Sequence, residues 1–572
     1  MDEREILTRF KQGTLGREEA ALLLTNRPAD TPVPATAPPQ ADGVPATDVG
    51  YAVVGLAGRY PMAPDLHAYW ENLRKGHDTS CGAPAGRPGG SVLGPGQRGH
   101  FLDGVGEFDA EFFGLTPHEG ALMDPQERLF LETAWEALED AGCTGTRLDA
   151  LTGPGDVPRA VGVFIGVSSV DYALLAAESW TRGQRRMPGS GHGGLPGRLA
   201  ALLGLSGPGQ AVDTGVCSAL TAVHLAVESL ARGECAAAVA GGVELLLHAS
   251  RAGDGAGEGV GALVLKRLDR ALLDGDRVHA VIRGTSSGFR RGAGGGGAAG
   301  GDDTRAATAV GPRETRETIV RRVGDAGAAL GVAGITAAVL QVGQGMIAPA
   351  RDGEEPVPWQ REQDEQGREL PRGATVEVEG ERGLVARTVV EEFLPPHGTR
   401  RADGAGRHEL VLLSAPTPAH LAATAARLAD WLEQGVEAAG DAVLTDVARN
   451  LRTGRAAMPC RIALLVGDVP ELVTGLRRYA ETRSGGENLR QADLREGGAD
   501  PLGLGEAPET RDYLTALWRS GRLEQLTRLW LSGVDVDWAA LESPSSTARA
   551  VPPPSAFLRR TLWWDPVGER AG

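Results

Sequence analysis

Cysteine is scarce. The 572 residues hold five, Cys81, Cys143, Cys217, Cys235 and Cys460, an odd and scattered set without the paired spacing that binds zinc or staples a secreted fold. A reducing compartment is therefore expected. Lysine is nearly missing: only Lys11, Lys75 and Lys266 among 58 basic residues, a bias we attribute to codon usage and give no functional weight. No run approaches roughly 18 uninterrupted apolar residues and the opening MDEREILTRF is charged, so neither a membrane span nor a signal peptide is expected, and the chain reads as cytoplasmic. Positive charge is in deficit as well, 58 basic against 75 acidic residues for a net −17, which argues against nucleic acid or an anionic membrane as the main partner. What abounds is glycine (82) with proline (36), about a fifth of the chain and below the roughly 25–30% of a wholly disordered protein. Local low complexity inside a folded chain follows.

Residues 1–27 read as a small helical hairpin, EREILTRFKQG and REEAALLLT, whose apolar stripe must bury on the body, on its own copy or on a partner, as a docking element would. Residues 28–48, rich in Pro, Ala and Thr, read as an extended linker. From Tyr51 short apolar strands alternate with helices, and α/β alternation runs through VHAVIRG until Gly288–Asp302 breaks it with a segment from which no core strand can be built. Thereafter GPRETRETIVRRVGDAG is expected as a helix, AAVLQVG as a strand, Arg351–Arg372 as a polar stretch, and LVARTVVEE as a strand. Residues 408–482 suggest a small αβ satellite and 483–510 a flexible loop. Residues 511–572 suggest an amphipathic helix and an aromatic strap that together hold five of the ten tryptophans.

These blocks resemble the ketosynthase region of modular type I polyketide synthases, the β-ketoacyl synthases. YAVVGLAGRYPMAPDLHAYWENLRKG looks like that family's opening strand and helix, and GHFLDGVGEFDAEFFGLTPHEGALMDPQERLFLETAWEALEDAG like its next signature; GVFIGVSSVDYALL, LPGRLAALLGLSGPGQAVDTG, AVHLAVESLARGECAAAVAGGVELLLH and GEGVGALVLKRLDRALLDGDRVHAVIRG continue it. Residues 408–482 resemble the post-ketosynthase linker, and VDVDWAAL with PPPSAFLRRTLWW resembles the wrap-around segment that returns to the ketosynthase. The resemblance implies an α/β fold of the thiolase type, αβαβα in five layers. A ketosynthase-like domain would cover 49–396 with a truncated second half, and an αβ linker domain 397–482.

The resemblance also implies a chemistry, and each of its residues is altered. The family condenses acyl units with a cysteine at a strand-to-helix elbow and two histidines. A helix N-terminus lowers a thiol's pKa, and imidazoles donate to the thioester carbonyl as charge develops. The family's Val-Asp-Thr-Ala-Cys-Ser-Ser-Ser-Leu becomes Val212-Asp213-Thr214-Gly215-Val216-Cys217-Ser218-Ala219-Leu220, so Val216 fills the nucleophile slot and Cys217 falls one residue late. One residue along a helix turns a side chain by about 100°, which aims Cys217 away from the pocket, as a small buried residue under the elbow. Val342, in Val342-Gly343-Gln344-Gly345-Met346, takes the first histidine's slot. The second histidine's segment is read as deleted. An alternative alignment places GVAGITAAVLQV on the helix after the second histidine, with Asp325 in that histidine's place. Gly383–Arg387 replaces the polar Gly-Thr-Asn-Ala-His loop, and a stretch is missing between His248 and Gly257. GEGVGA at 257–262 fits a dinucleotide pattern loosely but opens a strand, so tight turns are expected. His192 and His224 read as structural histidines, and Asp124, Glu127 and Glu132 as the solvated face of an exposed helix.

The expected function is that of a pseudo-ketosynthase: a non-catalytic partner or scaffold protein of a polyketide assembly line that binds an acyl carrier protein, a synthase subunit or a tailoring enzyme, with no cofactor beyond the phosphopantetheine such a carrier would bring. The competing reading is a repurposed acyl-thioester enzyme, a transferase, hydrolase or cyclase, using Cys217 or the remodelled cavity. The family dimerises through the strand just before the elbow, here GPGQAVDTG, which leaves a homodimer or a heterodimer with an intact ketosynthase expected.

Overall fold

A segment such as Tyr51–Arg59, nine residues without an apolar/polar alternation, suits a strand covered on both faces. In the computed structural model every one of its side chains is buried. The structure describes residues 50–564 apart from 86, 88–92, 95, 181–190, 252, 291–310, 350–352, 396–407, 436–440, 487, 496–499, 501–502, 507 and 543–550. The expected hairpin, the linker after it and most of the glycine-rich break lie outside the described residues.

Tyr51–Arg59 (β1) leads to helix Leu66–Lys75 (α1), whose Asp65 cap accepts from Ala68 N at 2.8 Å and whose last turn closes on Gly76 with φ 62°. A short strand Glu107–Phe108 (β2) precedes helix Pro125–Asp140 (α2). Strands Val161–Gly166 (β3) and Gly209–Val212 (β4), helix Ser218–Ala231 (α3), and strands Ala237–Glu244 (β5), Gly259–Arg267 (β6) and Ala280–Phe289 (β7) follow. Arg313–Thr315 (β8), helices Arg316–Val323 (α4) and Leu330–Gln344 (α5), and strands Gly373–Glu379 (β9) and Leu384–Glu391 (β10) complete this region.

Among the described residues, nine of these strands join in one sheet of order β4-β3-β5-β6-β1-β7-β10-β9-β8. Its two halves meet only where Tyr51, Ala52 and Val53 of β1 face Ile282, Val281 and Ala280 of β7. Helices α3 and α5 each contact strands of both halves and so form the central layer, while α2 packs on the outer face of the first half. The order of layers is that of the thiolase type. Along β10 one face is largely buried, and the other, partly buried among the described residues, carries ion pairs: Arg387 and Arg290 with Glu377, and Arg283 with Glu391.

The segment expected as the strand AAVLQVG is instead part of α5. Its small residues serve helix packing: a Cβ at Gly331 would fall 2.7 Å from Leu220 Cγ, and one at Gly334 2.5 Å from Ile319 Cδ1. The helix is long and apolar enough to cross a membrane by composition (Gly327–Gln344, mean hydropathy 1.4), yet it is 78% buried inside this fold. Strand β7 also runs through Gly288 to Phe289, further than expected from the glycines.

The satellite is a three-stranded antiparallel sheet of Glu409–Ala415 (β11), Cys460–Val466 (β12) and Leu489–Asp493 (β13). β13 lies in the stretch expected as loop. Helices Pro418–Gly435 (α6), Asp441–Thr453 (α7) and Val469–Thr482 (α8) cover one face; Pro508–Arg519 (α9) and Leu523–Leu531 (α10), two helices broken at Gly521 rather than one, cover the other. The chain then returns to the first region, where Arg560–Thr561 (β14) pairs with β2.

That return is pinned at Asp109, 2% exposed. Its carboxylate accepts from His420 Nε2 at 2.7 Å, from Leu558 N in the strap and from Phe112 N at 3.0 Å. Burial opposes its charge, but these three donors outweigh it and hold the carboxyl below its ordinary pKa. The stability this gives is present above the unfolded value near about 3.9 and is lost as pH falls through the lower folded value. Asp109→Asn should therefore lower unfolding stability by about 3 kcal/mol at pH 7, with the gap to the wild type narrowing below about pH 4. Urea titrations across pH check both the size and the narrowing.

Candidate functional site

Strand β4 ends at the elbow Asp213–Val216, where the backbone must turn sharply into α3. Gly215 makes the turn with φ 61°. Ser218 Oγ locks it by accepting from Thr214 N at 2.9 Å and donating to Gly215 O at 2.7 Å. Gly166, at the end of β3, permits the approach of this helix start, since a Cβ there would fall 2.5 Å from Ala219 N. The scaffold of a nucleophile elbow is thus intact.

Its side chains are not those of a nucleophile. Val216 is half-buried at the turn, a hydrocarbon with neither lone pair nor proton to offer. Cys217 is 0% exposed, and its thiol donates to Val378 O at 3.4 Å beneath β9. Burial pushes that thiol above its ordinary pKa, and the amides of Gly380 and Ala386 and the charge of Arg316 only partly offset it. A raised pKa and a covered sulfur leave little thiolate to attack anything.

Val342 does not end a strand. It is fully buried in the last turn of α5, so its assignment to the first histidine slot, which rested on a strand there, falls with that strand. Asp325, the candidate of the alternative alignment, stands just before α5. Arg316 Nη2 donates to its Oδ2 at 3.0 Å, while its Oδ1 is buried without a hydrogen bond. Gly383, with φ 79°, forms the turn between β9 and β10, and Arg387 is spent on Glu377 at 2.7 Å.

Three further buried groups escaped the sequence. Glu244 ends β5 fully buried; it accepts from Ser168 Oγ at 2.7 Å and Ala328 N at 2.9 Å and pairs with Arg251. Burial raises its carboxyl pKa against the pull of Arg251. Asp171 Oδ2 accepts from Leu247 N and His248 N, and its Oδ1 stands 3.7 Å from Arg251 Nη1, neither of these two atoms hydrogen-bonded. A carboxylate closing an otherwise apolar strand was the available signal. His100 packs on Gly324, next to Asp325, where a Cβ would meet its ring at 2.6 Å. Thr79 Oγ1 donates to Arg322 O at 2.8 Å and so accepts from His100 Nδ1, which leaves Nε2 unprotonated in the neutral ring. Burial depresses the His100 pKa.

The other candidates are structural. His192 Nε2 meets Ser169 O at 3.0 Å, and His224 Nδ1 meets Thr285 Oγ1 at 2.9 Å. In GEGVGA, Gly257 and Gly261 allow close packing, a Cβ at Gly261 falling 2.5 Å from the Tyr60 hydroxyl, while Glu258 pairs with buried Arg87. The acidic face of α2 is the clear correction. It is not solvated: Asp124 is 5%, Glu127 7% and Glu132 0% exposed, because arginines from distant segments meet the two glutamates and Asp124 caps the helix.

Comparison with known proteins agrees with this geometry. Residues 51–254 match the β-ketoacyl synthase N-terminal domain, and residues 412–483 the RhiE-like KS-MAT linker domain. The chain is 30% identical to polyketide synthase PksM of Bacillus subtilis over 90% of its own length, and 32% identical to polyketide synthase ThaG of Burkholderia thailandensis over 92%. It spans only 14% and 11% of those proteins. Among solved structures, the ketosynthase from module 6 of the bacillaene synthase of Bacillus subtilis aligns with TM-score 0.73 at 25% identity, covering 90% of this chain and 100% of that one. An oxazolomycin ketosynthase domain of Streptomyces albus aligns with TM-score 0.72 at 27% identity, covering 91% and 99%.

The covered sulfur has a direct consequence. With iodoacetamide at neutral pH, half-buried Cys81 should alkylate first, and buried Cys217 about tenfold or more slower. Val216→Cys should add a second fast-reacting thiol. Peptide mapping by mass spectrometry after timed quenching reads both.

Proposed function

We propose that this chain, which joins a β-ketoacyl synthase region to a ketosynthase linker domain, acts in a polyketide assembly line as a non-condensing partner or scaffold. The observation that carries the reading is the elbow, where a valine stands in the family's nucleophile slot and the adjacent thiol is sealed under β9. Decarboxylative condensation by the family's route needs a thiolate to hold the growing acyl chain and imidazoles to stabilise the enolate oxygen. Removing such a unit forfeits orders of magnitude in rate. The charged group facing the elbow is Arg316, which is paired with Asp325, and neither is a thioester nucleophile.

The partners are then an acyl carrier protein, a synthase subunit or a tailoring enzyme, and the phosphopantetheine arm belongs to the carrier. A cytoplasmic location beside the synthase is part of the same proposal. β4 supports pairing with a second ketosynthase-type chain: it is the end strand of the sheet, bonded on one side to β3, with Gly209 and Gln210 exposed. An open strand edge of this kind takes up another strand readily. The second chain is another copy of this protein or an intact ketosynthase.

The competing acyl-thioester enzyme predicts a covalent adduct, and native mass spectrometry separates the two. Incubated with acyl-loaded carrier proteins of its own assembly line, the chain should give non-covalent complexes with no mass gain after denaturation. An acyl adduct that maps to Cys217 and vanishes in Cys217→Ala would sink the scaffold reading. So would the failure of every carrier protein and synthase subunit to associate.

A further inference from the structure

A cavity of about 400 Å³ opens where the ketosynthase region, the linker domain and the C-terminal return meet, away from the elbow. Cavities that hold small molecules start near roughly 300 Å³. Its walls are about evenly polar and apolar, the apolar part coming from Leu148 and Leu203 of the first region, Leu412 of β11, and Trp530 and Trp538 of the tail.

Four arginines line it, and three of them are neutralised. Arg159 pairs with Asp149 at 2.6 Å, Arg452 with Glu542 at 2.7 Å and Glu409 at 3.2 Å, and Arg455 with Glu139. Arg461 is different. It is 6% exposed, lies 4.9 Å over the Trp530 ring, and donates from Nε to Met458 O at 2.9 Å and from Nη1 to Trp530 O. Among the described residues no carboxylate comes within ion-pair distance of it, and its Nη2 makes no hydrogen bond. Asp535 attracts it only from beyond that distance. A buried guanidinium without a counter-charge is costly unless something supplies one.

We propose that this cavity binds a small monocarboxylate with an apolar body, its carboxylate on the free edge of Arg461 and its body against Trp530, Trp538 and Leu412. Glu139, Asp149 and Asp535 also line the space, so a dianion such as a phosphate monoester meets repulsion that a single carboxylate with one free guanidinium edge does not. The site is independent of the elbow and of the scaffold reading.

Isothermal titration of the full chain with octanoate, 1-octanol and inorganic phosphate tests it. Octanoate should bind saturably, 1-octanol about tenfold or more weakly, and phosphate not at all. Arg461→Met should abolish the preference of acid over alcohol. Should that variant fail to fold, exposed Ala457, which lines the cavity, decides: Ala457→Trp should fill the space and weaken octanoate about tenfold with an unchanged melting temperature. Equal affinity for octanoate and octanol, no octanoate binding up to its solubility limit, or full octanoate affinity in Ala457→Trp would overturn the proposal.

Discussion

The acidic groups in and beside helix α2 hold the rest of the molecule to it. Glu132, fully buried, takes Arg59 of β1 at 2.9 Å and Arg559 of the C-terminal return at 2.7 Å, while its other oxygen accepts from Asp109 N. Glu139 accepts from both the amide and the hydroxyl of Ser555 at 2.6 Å and pairs with Arg455 of the linker region. Arg128 in the same helix donates to Leu562 O and to the Tyr172 hydroxyl. A buried charge that loses one partner costs several kcal/mol, about 3–5, so no one of these segments can leave without stranding charge in the others. The ketosynthase region, the linker domain and the returning strap are therefore one mechanical unit, and the cavity between them keeps its shape for the same reason.

That arrangement separates what holds the fold from what performs chemistry. The interlocking charges lie on the outer face of the first half-sheet, while the elbow lies against the central helices on the inner face. Val216 at the elbow and the Arg316–Asp325 pair lie apart from the ion pairs of α2. Cys217 shows how the replacement packs: one position past the turn, the sulfur becomes core between α3 and β9.

How much of this could be read in advance depends on how far each signal reaches along the chain. The elbow is local, so the places of Val216 and Cys217 in it were legible once the family resemblance set the register. The buried strands β1, β3 and β6 declared themselves by their long apolar stretches. Such runs do not distinguish a strand from a core helix, and that ambiguity turned part of α5 into an expected strand; the glycines that might have argued against a helix are there because α3 and α4 press on it at Gly331 and Gly334. The acidic face of α2 looked solvated because the partners of its glutamates, Arg198 for Glu127 and Arg59 and Arg559 for Glu132, come from other segments of the chain, Arg559 from 427 residues away. Arg461 and its cavity are invisible for the same reason, being made by β12, α10 and the first region together.

The two half-sheets show what such a molecule can dispense with. The first is layered on both faces and carries the interlocking carboxylates, whereas the second meets it over three residue pairs at β1 and β7 and, among the described residues, carries partly exposed ion pairs on one face. Surface pairs of that kind contribute little each, so the second half is held mainly by the central helices that both halves share. Their apolar contacts with β9 and β10 are what keep the second half attached, and buried hydrocarbon such as Val342 of α5 serves that task.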